Sequence, residues 1–148
     1  MKKKYIIPGL IFIMILTTLF IVFRRSEHID EDVKLRNQII ETIKKSDSID
    51  FAKIANFEWD TMYIFTPYST PEDILKADGV KSYNSNFSIE VLDDINMIAF
   101  AKSNKLISFV ELPRKYGGAD ITRHIKFSKN EVKFNISQID KTVIFDKK

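Results

Sequence analysis

Apolar residues fall along the chain in three successive patterns. From Tyr5 to Phe23 there are 19 residues without a charge, a helix of about 28 Å at 1.5 Å per residue, close to the ~30 Å hydrocarbon thickness of a bilayer. From Glu31 to Lys45, Val33, Ile39, Ile40 and Ile43 recur at near-helical spacing with Leu35 slightly off the stripe. Asp30 stands as the N-cap and Lys44 and Lys45 close the run, as the helix dipole favours. This predicts an amphipathic helix whose stripe covers a sheet. From Phe57 onward the period is mostly two, the signature of strands.

The first such strand places Trp59, Thr61, Tyr63 and Phe65 on one side and Asp60, Met62 and Ile64 on the other. Both sides are largely apolar from Met62, which predicts a strand covered on both faces. Thr66 and Pro67 end it. Thr70 as N-cap, Pro71 in the first turn, Glu72 and Asp73 behind it and Gly79 as the stop predict a short helix with Ile74 and Leu75 inward. Strands follow at 86–92, 96–102, 105–112, 121–127, 131–136 and, as a last edge, 142–145. Ser103-Asn104 joins two of them as a two-residue hairpin. Residues 113–120 form a loop in which Gly117-Gly118 frees the backbone and Arg114, Lys115 and Tyr116 crowd beside it. Helices first and antiparallel strands after give an α+β class with one sheet of about five strands.

Charge changes the reading of the N-terminus. Lys2, Lys3, Lys4, Arg24 and Arg25 are five of the 23 basic residues, and no acid accompanies them in the first 25 positions. Residues 26–148 hold 18 basic and 20 acidic side chains, a net of −2, which removes the electrostatic reason for binding nucleic acid. The apolar stretch runs into Phe-Arg-Arg without the small residues of a cleavage site, and no cysteine is present to carry lipid. The expectation is an uncleaved signal anchor over 1–25, with residues 5–23 spanning the bilayer as a single pass. The more basic flank then stays cytoplasmic and an extracytoplasmic α+β domain is formed by 26–148. A wealth of Lys, Ile, Asn, Phe and Asp points to an AT-rich bacterial genome.

Candidate chemistry is sparse. Without cysteine there is no thiol nucleophile. His28 lies among acids, and His124 shares a side with Thr122 and Lys126, facing water. No G-x-S-x-G segment occurs. Asp93-Asp94-x-Asn96 lacks the glycine and distal Glu of a calcium loop and reads as a turn. Glu58 and Asp60 flank Trp59 as a carboxylate pair, and Asp60 is the better fit to a hydrogen-bonding role. No cofactor or metal is expected. The aromatics of 57–68 read as core at strand spacing, except Tyr68, which lies between Pro67 and Pro71 after the strand has ended. Trp59, Tyr68 and the loop residues Arg114, Lys115, Tyr116, Gly117 and Gly118 form the candidate contact patch.

Trp59-Asp60-x-x-Tyr63-x-Phe65-x-Pro67-Tyr68, followed by Thr70-Pro71-Glu72-Asp73-Ile74, resembles a group of small bacterial membrane-anchored or lipoprotein-like proteins. In these such a segment precedes a short helix and an antiparallel sheet. The likeness covers roughly residues 51–112, implies that architecture and an envelope location, and transfers no catalytic residue. The functional expectation is a membrane-anchored binding domain without catalysis, facing an envelope protein, with an immunity or inhibitor role as one form. Two alternatives stand beside it: a small envelope hydrolase or metal-dependent enzyme using Glu58, Asp60 or His124, and an accessory subunit of a membrane complex.

Overall fold

A computed structural model describes residues 6–25, 28–82, 86–117 and 124–145, and among the described residues the chain builds four α-helices and seven strands. Helix α1 covers Ile6–Arg25. Among the described residues no helix is long and apolar enough to cross a membrane, which corrects the expected transmembrane span over 5–23. The single-pass topology and the cell-membrane location deduced from that span fall with it.

The amphipathic helix is α2, Val33–Lys45. It starts two residues later than Asp30 would set it: Asp32 is the N-cap, its Oδ1 accepting the Leu35 N–H at 2.9 Å. Leu35, Ile39 and Ile43, four apart, are the buried stripe, whereas Val33 is exposed. Strand β1 (Ser48–Asp50) and the one-turn α3 (Phe51–Ile54) follow. Then come β2 (Thr61–Phe65), α4 (Pro71–Ala77), β3 (Ile95–Lys102), β4 (Lys105–Pro113), β5 (Ile125–Ser128), β6 (Lys133–Ile136) and β7 (Val143–Ile144).

These strands make two antiparallel sheets, β1-β6-β7 and β4-β3-β2-β5, rather than one of about five strands. The four-stranded sheet is the middle layer. Met62, Ile64, Ile98, Phe100, Val110 and Leu112 face α2, α3 and the small sheet on one side. Tyr63, Phe65, Met97, Ala99 and Phe109 face α4 and the segment around Ile89 on the other. Coverage of β2 on both faces therefore matches its two apolar sides. Trp59 does not share the side of Tyr63 and Phe65: it lies before β2 begins and packs with Met62 and Ile64.

The hairpin at Ser103-Asn104 forms as expected, with φ of 49° and 63° at its two residues, the left-handed pair that a two-residue turn needs. Beyond it the register shifts: Phe100 opposes Ser108, but Ala101 opposes Leu106, so Ile107 is an extra residue. This bulge turns Leu106 onto the same face as Phe109. The strand expected over 86–92 is instead a 3-10 turn at Ser88–Glu90. Phe87 and Ile89 are both buried by that single turn, and Val91 and Leu92 are left exposed.

Candidate functional site

Antiparallel register decides which ends of the strands meet. Phe65 opposes Met97, which opposes Glu111, and Ile95 opposes Pro113. The chain therefore leaves β2 and β4 at the same end of the four-stranded sheet, two strand spacings or about 10 Å apart. Tyr68 follows β2 and Arg114–Tyr116 follows β4. Trp59 lies at the opposite end, where Thr61 opposes Ala101. The expected patch is thus divided by the sheet.

Trp59 leaves the patch for a second reason: it is 3% exposed, packed edge-on against Phe100 at 5.2 Å with the Lys129 ammonium 5.3 Å from its ring. Tyr68 is 64% exposed. The Thr66 carbonyl accepts the Ser69 N–H at 3.2 Å, closing a turn with Pro67 and Tyr68 at its centre. Tyr68 has φ of 61°, the left-handed region that such a turn usually gives to glycine. Its N–H donates to the Ile89 carbonyl at 2.8 Å, and Val91, two residues beyond Ile89, is exposed. A tyrosine held in this backbone state with its ring outward is preorganised for contact.

Arg114 and Lys115 are exposed on a 3-10 turn, and with Asp94 and Pro113 they line an open depression of about 580 Å³. The Arg114 N–H donates to the Asp94 carbonyl at 2.7 Å. Tyr116 turns inward against the core while the Lys115 ammonium sits 5.1 Å from its ring. Gly117 is not there for a free turn. Its φ is −122°, an extended value, and a Cβ would come within 2.8 Å of the buried Asn96 amide nitrogen. That nitrogen donates to the Gly117 carbonyl at 3.3 Å, so glycine is required by close approach. Gly118 lies outside the described residues, as do Ile121 and Arg123 of the expected strand.

The groups of the enzymatic alternative do not converge. Asp60 caps the hairpin, accepting from the Ser103 N–H and the Thr61 hydroxyl, each at 3.0 Å. Glu58 pairs with Lys102 at 3.2 Å, and the hydrogen bond from Lys102 holds its carboxyl below the usual range. His124 stacks on Phe65 at 6.3 Å, at the far end of β2, about 13 Å along the strand from Thr61 and beyond hydrogen-bond reach of either acid. Asn96 is buried away from Asp93 and Asp94, and among the described residues no group of three His, Asp or Glu side chains could hold a metal.

One polar cluster had no sequence forecast. Lys126 on β5 opposes Tyr63 on β2, and both reach Asp78 at the end of α4. The Lys126 ammonium and the Tyr63 hydroxyl each donate to Asp78 Oδ2, at 2.9 and 3.0 Å. Lys126 holds the Asp78 carboxyl below its ordinary range and is itself raised, first by Asp78, whereas burial pushes the Tyr63 phenol up. The three side chains are 63 positions apart in sequence at most, and only the pairing of β2 with β5 brings them together. They tie α4 to two strands. No protein-family model, curated protein or solved structure matches this chain.

Proposed function

We propose that this protein is a non-catalytic binding module for another protein, and that its contact surface is the sheet end carrying Tyr68, Val91, Arg114 and Lys115. The observation behind this reading is Tyr68, an aromatic ring almost two-thirds exposed and fixed outward by a left-handed backbone and a hydrogen bond. Tyr and Arg flanked by apolar groups are the residue types that dominate binding energy at protein interfaces. Near-neutral charge over residues 26–148 favours a protein over nucleic acid as the partner. The test is comparative affinity capture from the native host with the full chain and its Tyr68→Ala/Arg114→Ala double variant. A partner held by the first and lost by the second, with equal melting temperatures, is the expected result. A partner retained equally by both would sink the proposal.

A further inference from the structure

The Arg114–Gly117 turn borrows its shape from a distant part of the chain. The Thr142 hydroxyl donates to the Lys115 carbonyl at 2.9 Å. Gly117 makes an isolated parallel bridge with Val143 of β7. From the other side, Asn96 on β3 donates to the Gly117 carbonyl, and a side chain at position 117 would displace that amide. The turn is therefore clamped between β3 and β7.

The β7 side of this clamp is slight. β7 has two residues, and its partner ladder with β6 spans two residue pairs. The connection between them carries Lys141 at φ of 51° and Ile139 at 93% exposure. Val143 and Phe145 are nonetheless buried in the shared core, so this edge segment docks through those two side chains, whereas β6 is held by its ladder with β1 and by Phe134 and Ile136. Segments with few ladder bonds and an exposed connection open at a lower free energy than the central strands.

We propose that the Arg114–Gly117 turn and β7 open and close as one unit, so that the contact surface beside Tyr68 keeps its shape only while β7 is docked. Whatever loosens β7 then loosens the surface, and a partner seated on Arg114 and Lys115 holds β7 down in return, because such coupling is reciprocal. The functional consequence rests on the binding reading above; the coupling does not.

Amide hydrogen exchange on the full chain tests it. The Gly117 N–H, which donates to Arg114, reports the turn, and the Ser137 N–H, which donates to the Thr142 carbonyl, reports β7 docking. Ile98 at the centre of β3 is the reference. Gly117 and Ser137 are expected to exchange with a common opening equilibrium. Thr142→Val should speed both about tenfold, the effect of losing one hydrogen bond, and Thr142→Ser should restore them. Val143→Ala should speed Gly117 as much as Ser137 while Ile98 stays slow. Acceleration of Ser137 without Gly117, or of Ile98 equally with both, would overturn the coupling. If the coupling holds but Tyr68 and Arg114 variants bind a partner normally, the binding reading alone falls.

Discussion

Tyr63 and Tyr68 stand five positions apart in one strand-and-turn segment and have opposite duties. Tyr63 is 1% exposed and stacks on Phe65 at 5.9 Å, so Tyr63→Ala should cost roughly 3–5 kcal/mol in denaturant unfolding. Tyr68→Ala removes an exposed ring, keeps the backbone hydrogen bond to Ile89, and should stay within about 0.5 kcal/mol of the parent. Equal large losses at both would assign the whole segment to packing. Gly117→Ala should lose about 1–3 kcal/mol through its collision with the Asn96 amide. The Ser108 hydroxyl and the Trp59 indole N–H are buried without a hydrogen-bond partner. Ser108→Ala removes an unsatisfied group and should be neutral or stabilising by up to about 1 kcal/mol; a clear loss would mean that the hydroxyl has a partner in solution.

Between elements, the Asp78 carboxylate ties α4 to β2 and β5, and pH reads that tie. Asp78 titrates below its unfolded value, so its contribution is present above about pH 4 and fades as pH falls through the folded pKa. Lys126 and Tyr63 titrate above theirs, so their contribution is complete below about pH 10 and fades as pH rises further. Asp78→Asn should therefore destabilise by about 1 kcal/mol or less across the neutral range, and the gap to the parent should close below pH 4. A gap that persists unchanged in acid would contradict the ion-pair account. Elements with a single strong period were legible in the sequence: α2, β2, the β3–β4 hairpin and β6 all follow from spacing and turn residues. The 86–92 segment misled because Phe87 and Ile89, two apart, fit one 3-10 turn as well as a strand. β1 was missed because three residues of "SID" show no period, and only pairing with β6 makes them a strand. The site fared similarly. Exposure of Tyr68 was readable from its prolines, whereas the separation of Trp59 from it depends on register, which no local pattern reveals.

At the scale of the whole molecule, the central sheet sorts its surroundings. Its β4 edge is closed by the segment before α2: the Asp32 N–H donates to the Phe109 carbonyl at 2.9 Å and the Glu31 carboxylate accepts the Glu111 N–H at 3.0 Å. Arg36 holds Glu31 in place at 2.9 Å. Such cover suppresses strand-to-strand association on that side. It leaves the strand ends, where β2 and β4 terminate together, with the exposed Tyr68 after one strand and the cations Arg114 and Lys115 after the other. The most direct measurement is site-specific photo-cross-linking of the full chain in its native host, with a benzophenone side chain placed in turn at Tyr68, Val91, Lys115 and the exposed Lys53 on α3. The account predicts one common protein adduct from positions 68, 91 and 115 and none from 53. Adducts from 53 matching the rest, or none at 68, 91 and 115, would contradict it.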